Sequence, residues 1–235
     1  MNLNSRIIDV QAAVFADNDD RAALLRASLQ KRGIFLVNVM GSPGAGKTSL
    51  LAALLPRLGK GLRPAVIEAD LDSRVDADAL ELLGWKAVQL RTGGFCHLDA
   101  YMVERGLAEL GLLELQIQAT GIIALGYNLV FVENIGNLIC TAQVDTGAHL
   151  NIAILSVPEG DDKLLKYPVM FAMADVVVIS KADYLAHEDF DLHGLGVCLA
   201  KMNPEARLFV VSARKGSGID ELAGEITNRA NIPQA

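Results

Sequence analysis

The run Gly41-Ser42-Pro43-Gly44-Ala45-Gly46-Lys47-Thr48 restricts the fold of this chain more than any other feature. It matches the pattern G-x-x-x-x-G-K-[ST], between an apolar stretch (IFLVNVM, 34–40) and a segment of helical spacing (48–58). Such a loop turns successive backbone N–H groups toward one anion, and the helix that follows adds the positive end of its dipole. A strand must feed the loop and a helix must leave it, so these residues form the first half of a βαβ crossover.

The rest of the chain repeats that alternation. RPAVIEAD (63–70), KAVQL (86–90), YNLVFVEN (127–134), LNIAILSV (150–157), ADVVVIS (174–180) and ARLFVVSA (206–213) read as short buried strands. Helical spacing fills most of the gaps, including a long stretch over 97–125 and a last one over 218–230. The prediction is an α/β P-loop NTPase with a mostly parallel central sheet and helices on both faces. Residues 1–33, with Ile7, Ile8, Leu24, Leu25 and Leu29 at helical spacing before Gly33, form an N-terminal helical extension, and 34–235 form the nucleotide-binding domain.

Ligands of such sheets gather at the carboxyl ends of the strands. Lys47 is expected to reach the β- and γ-phosphates, and the Thr48 hydroxyl to ligate Mg²⁺. Gly41, Gly44, Ala45, Gly46 and Ser49 complete the cradle. Mg²⁺ takes hard oxygen ligands, and Asp70 and Glu133 each end a strand where the metal must sit; either residue could instead cap a helix. Asp76, six residues beyond Asp70, is a candidate for orienting water or metal, or a helix-start acid. Lys47, Asp70 and Asp76 are thus the candidate catalytic residues.

SKAD (180–183) resembles the guanine-specifying N-K-x-D element, with Ser180 in place of Asn. A carboxylate at Asp183 accepts from the N1–H and N2–H₂ donors of guanine, which adenine does not present in that arrangement. Lys181 would lie over the purine ring, and Ser212 and Ala213 in SAR (212–214) would offer a backbone N–H to O6. The nucleotide expected is therefore GTP or GDP. The shorter Ser180 makes fewer loop-to-loop hydrogen bonds, so somewhat lowered affinity is expected.

The formal net charge of −7 and the lack of a Lys/Arg stripe argue against nucleic acid as a partner. No apolar run reaches membrane-spanning length, and MNLNSRIIDVQ does not resemble a secretion signal, so a cytoplasmic protein is expected. Three cysteines in such a chain are no disulfide framework.

Two runs remain, TGGFCHLDA (92–100) and ENIGNLICTA (133–142). Glu133 and Gly136 have the spacing of a D-x-x-G switch, with the Gly136 N–H set to sense the γ-phosphate. Cys140 follows four residues later, so movement of that loop carries its thiol. Cys96, His97 and Cys140 suit Ni²⁺ or Zn²⁺, but they are three ligands, and a two-fold dimer would complete a shared site. Each Cys taken alone reads as a small buried hydrophobe, and finding Cys beside His with a second Cys on a switch-like loop reverses that. Cys198, in LGVCLAKM, keeps that reading, and His149, His187 and His193 stand alone.

The P-loop, CHLDA, ENIGNLIC, SVPEGDDKLLKYP and the guanine element, in this order, resemble the hydrogenase nickel-incorporation GTPases, the HypB family of the SIMIBI class. The resemblance runs from about residue 34 onward. It implies a cytoplasmic metallochaperone that hydrolyses GTP slowly and dimerises with GTP and metal. It also implies a nickel/zinc accessory protein of the HypA type as partner and delivery to the [NiFe]-hydrogenase large subunit. By motif, Cys96, His97 and Cys140 correspond to the interfacial metal site, and Asp70 and Glu133 to Mg²⁺ ligation. Four departures stand out: no Cys or His in residues 1–33, where family members often carry a nickel store; Thr141 in place of Pro; Ser180; and a 101–126 stretch longer than the family's helix. The alternatives are a nucleotide-dependent scaffold with lost hydrolysis, a urease-type accessory GTPase, whose C-P-H motif this chain lacks, and a small-molecule P-loop kinase, which leaves SKAD and the Cys pair unexplained.

Overall fold

The computed structural model describes residues 10–70, 75–113, 117–118, 121–122 and 126–231. In chain order the elements are α1 (Val10–Lys31), β1 (Phe35–Gly41), α2 (Lys47–Leu54), β2 (Pro64–Asp70), α3 (Val75–Leu82), β3 (Lys86–Arg91) and α4 (Ala100–Glu109). There follow the short strands β4 (Ile117–Gln118) and β5 (Gly121–Ile122), then β6 (Leu129–Glu133), α5 (Cys140–Gln143), β7 (Leu150–Ser156), α6 (Lys163–Lys166) and α7 (Pro168–Met173). β8 (Val176–Ser180), α8 (Leu192–Met202), β9 (Arg207–Val210) and α9 (Ile219–Asn231) follow among the described residues.

Seven strands form one sheet in the order β3-β2-β6-β1-β7-β8-β9. Every pair in it is parallel. The apolar strands alternate their side chains across the sheet, so both faces must be covered. Phe35, Val37 and Val39 of β1 share one core with Leu50, Leu51 and Leu54 of α2 and with Leu222 and Ile226 of α9. On the opposite face Leu36 packs with Leu25 and Leu29 of α1 and Val103 and Leu107 of α4. Further along that face Ala153 and Leu155 of β7 pack with Phe171 of α7 and Leu199 of α8. The seven strands of this sheet therefore deliver their carboxyl ends to one rim, where the ligand loops lie. No helix among the described residues is long and apolar enough to cross a membrane.

One sequence expectation is corrected. The long helix over 97–125 is instead α4, ending at Glu109, with the antiparallel β4–β5 ribbon after it. Gly111 stops the helix: it takes φ +70°, its N–H donates to the Ala108 carbonyl, and the Leu112 N–H donates to the Leu107 carbonyl. This pair of bonds satisfies the last helical carbonyls and requires a left-handed residue, which glycine adopts without a Cβ penalty. In α1, Leu24 is 74 % exposed, while Ala22, Leu25 and Leu29 face the core. Ile7 and Ile8 lie outside the described residues. Polar ties also hold α1: Arg26 donates to the Ala148 carbonyl and to both Asp145 oxygens, and Arg21 pairs with Glu104.

Candidate functional site

The loop after β1 curls over the N-terminus of α2. Lys47 is 8 % exposed, and its Nζ donates to the carbonyls of Gly41 (3.4 Å) and Ser42 (3.2 Å). The Thr48 hydroxyl donates to Glu133 Oε1 at 2.8 Å. That contact follows from the sheet order, because β6 lies beside β1 with Glu133 in register with Val39. β2 is the next strand outward, with Glu68 opposite Glu133 and Asp70 at its end. Gly44, Gly46, Lys47, Thr48, Ser49, Asp70, Glu133 and Gly136 share one cavity of about 560 Å³. Gly136 presses on the cradle so closely that a Cβ there would lie 2.8 Å from the Pro43 backbone nitrogen.

Sequence reasoning missed two carboxylates here. Glu68 is buried in the same cavity, on a strand whose partner is known only from the fold. Glu159 accepts the Ser42 hydroxyl and, through Oε2, the Ser156 N–H (2.9 Å) and hydroxyl (2.6 Å). It ties the loop after β7 to the phosphate cradle; the motif SVPEGDDK was its only signal. Asp76 opens α3, but its side chain lies outside the described residues.

A second cavity of about 400 Å³ continues from Gly46 and Ser49 and is lined by Lys181, Asp183, Tyr184, Ala213 and Arg214. Lys181 takes the left-handed φ of 54°, and its Nζ donates to the Gly44 carbonyl at 2.6 Å. That backbone costs on the order of 1 kcal/mol for a residue with a Cβ and is held here between β8 and the P-loop. The Ser180 hydroxyl donates to the Ala45 carbonyl at 2.6 Å, a single loop-to-loop tie. Asp183 accepts the Ser212 hydroxyl at 2.6 Å, and that bond holds its carboxyl below the usual carboxylate range. The Lys215 N–H donates to the Ser212 oxygen at 3.1 Å.

The third cluster forms where two loops meet. Strands β3 and β6 flank β2, and the loops leaving their carboxyl ends bring Cys96 and His97 together with Cys140. Ligand atoms of Cys96, His97 and Cys140 lie within 4.8 Å of one another, the one such metal-binding group among the described residues. Cys96 Sγ lies 3.7 Å from His97 Nδ1. A hydrogen bond with the Cys96 thiol, and then burial, push the Cys140 thiol up. Cys140 is seated by Asn137, whose Oδ1 accepts its N–H at 2.9 Å, and the Thr141 hydroxyl donates to the Asn137 carbonyl, a tie proline could not make. Three soft or borderline ligands, all half-buried, form a set that fits Ni²⁺ or Zn²⁺ and leaves a position open. Cys198, on α8, packs instead against the core shared with α7, and His149 stacks on Phe35.

A P-loop joined to a Cys-His-Cys trio is a narrow combination, and comparison with known proteins locates it. Residues 35–210 match the family described as CobW/HypB/UreG, nucleotide-binding domain. The chain is 42% identical over 217 residues to the hydrogenase maturation factor HypB of Azotobacter vinelandii, spanning 92% of this chain and 68% of that protein. The chain belongs to the HypB family. HypB from Helicobacter pylori, solved in complex with nickel, superposes with a TM-score of 0.80 at 37% identity and covers 91% of this chain and 95% of its own. HypB from Archaeoglobus fulgidus gives a TM-score of 0.80 at 30% identity, covering 92% and 100%. The α/β P-loop architecture expected from the sequence is therefore the HypB fold, with a nucleotide-binding domain at its centre.

Proposed function

We propose that this protein is a GTP-binding, slowly GTP-hydrolysing metallochaperone that helps insert nickel into [NiFe]-hydrogenase. The observation that carries this reading is the closeness of Cys96, His97 and Cys140, with Cys140 on the loop that leaves Glu133 and Gly136 in the phosphate cavity. The nickel complex of the Helicobacter pylori HypB supports it. Nickel or zinc is the cargo, and exchange is easier from three protein ligands than from a closed set of four.

The residues divide the work as follows. Lys47 gives up the Gly41 and Ser42 carbonyls for the β- and γ-phosphates, and the cradle N–H groups hold the remaining oxygens. Thr48, Asp70 and Glu133 offer the hard oxygens that Mg²⁺ prefers, and Mg²⁺ would neutralise phosphate charge there. Asp183 selects guanine, with Lys181, Ser212 and Ala213 completing the base pocket. Asp76 orients water or metal from the start of α3. Slow turnover suits a switch, whose output is the conformation of the 134–140 loop. A homodimer formed with GTP and metal doubles the set and completes a shared site with a Cys pair from each subunit. The same reading includes a HypA-type accessory protein, the hydrogenase large subunit as destination, a cytoplasmic setting, and residues 1–33 as an extension of the 34–235 GTPase domain.

The test measures metal stoichiometry and mass together, by light scattering, with GDP and then with a non-hydrolysable GTP analogue. Ni²⁺ or Zn²⁺ with the analogue should raise the dimer fraction, and Cys96→Ala or Cys140→Ala should abolish the rise. An unchanged response in both variants would place the metal elsewhere.

A further inference from the structure

Three asparagines lie in a row on one face of the sheet, where the neighbouring positions are apolar. Asn151 of β7 stands in register with Asn38 of β1, and Asn134 directly follows β6 on the other side of β1. Asn38 Nδ2 donates to Asn151 Oδ1 at 3.0 Å, and Asn134 Nδ2 donates to Asn38 Oδ1 at 3.1 Å. Asn134 is 1 % exposed, and its Oδ1 accepts two backbone N–H groups, Leu98 at 3.2 Å and Ile135 at 2.9 Å. Its own N–H donates to the Val39 carbonyl, extending the β6–β1 ladder by one residue. Buried carboxamides carry a desolvation cost unless they are paired, and in this chain each amide is paired with the next.

The consequence lies at the end of the row. Leu98 follows His97 directly, so Asn134 fastens the Cys96–His97 loop to the centre of the sheet. Gly136, two residues after Asn134, packs on Pro43 of the phosphate cradle, and Cys140 lies beyond it. The three metal-ligating side chains therefore sit on two differently mounted parts, one held to the sheet and one resting on the nucleotide loop. We propose that Asn134 is a positioning residue that makes the Cys96–His97 half of the site the fixed jaw, against which a nucleotide-driven displacement of Cys140 changes the grip on metal. If that half were free to follow Cys140, the ligand set would travel as a body and the metal would register little of the nucleotide state. Asn38 extends the mounting without reaching either loop. This inference rests on the metallochaperone reading above.

The experiment measures the dissociation constant of Ni²⁺, at saturating GDP and at a saturating GTP analogue, in the wild type, Asn134→Ala and Asn38→Ala. The quantity read is the ratio of the two constants, which a uniform loss of stability leaves unchanged. The ratio should collapse by about threefold to tenfold in Asn134→Ala, the equilibrium equivalent of one net hydrogen bond, and in the same direction in Asn38→Ala. Hydrogen exchange at the Leu98 amide should accelerate in Asn134→Ala, reporting release of the jaw in the folded protein. A wild-type ratio of one would sink the switch reading itself. A wild-type ratio well away from one that both variants retain would overturn only the role of Asn134.

Discussion

Replacing Asp183 by Asn changes one atom and tests the base pocket without altering its shape. In the native protein the Asp183 carboxylate can only accept, so the Ser212 hydroxyl donates to it while the Ser212 oxygen takes the Lys215 N–H. In Asp183→Asn the amide oxygen stays on the Ser212 side, and the NH₂ group turns toward the N1–H and N2–H₂ of guanine, donor against donor. Two charge-assisted bonds are lost, each equivalent to about tenfold in an equilibrium constant, so GTP affinity should fall by at least about a hundredfold. ATP makes neither bond, and its affinity should stay within about threefold, so a wild-type preference for GTP of a hundredfold or more should vanish. Xanthosine triphosphate, which has an acceptor at C2, should instead gain. Competition against a fluorescent nucleotide at fixed Mg²⁺ gives all three constants. If Asp183→Asn retained the preference for GTP, the carboxylate would not be the discriminating group.

Three further outcomes are expected. Thr48→Val keeps the volume but removes the hydroxyl beside Glu133, so binding of a GTP analogue should lose its dependence on Mg²⁺ in a titration with and without chelator. Burial, and then the charge of Arg26, hold the His149 imidazole below its ordinary 6.5, and its Nδ1 accepts the Leu36 N–H. The unfolded chain therefore binds more protons as pH falls through that range, so stability should decline on acidification, less steeply in His149→Gln, as read by denaturant midpoints from pH 7.5 down to about 5.5. Phe131 is fully buried in the central sheet, and Phe131→Ala should cost about 3–5 kcal/mol in urea unfolding.

The features legible in the sequence were those whose meaning is local. The Gly41–Thr48 cradle, the strand-end carboxylates Asp70 and Glu133, and Lys181 with Asp183 are defined by spacing within a single loop, and the structure gathers them along one rim. The long-helix expectation failed because the apolar spacing of LELQIQATGIIAL continues past Gly111, whereas the backbone there turns left-handed and closes the helix. Leu24 illustrates a similar limit, since several leucines of α1 lie at helical spacing and only packing against β1 and α4 chooses which of them face inward. Glu159 went unnoticed because its partner Ser42 is 117 residues away.

What the sequence determined alone is the phosphate loop and the strand–helix alternation that carries it, because both follow from backbone conformation over a few residues. The meeting of Cys96 and His97 with Cys140 was decided by tertiary structure. These residues leave different strands, with β2 between them, and no local rule states that β3, β2 and β6 are neighbours. The amide row through Asn151, Asn38 and Asn134 was decided in the same way, since hydrogen bonds between adjacent strands exist only once strand order and register are set.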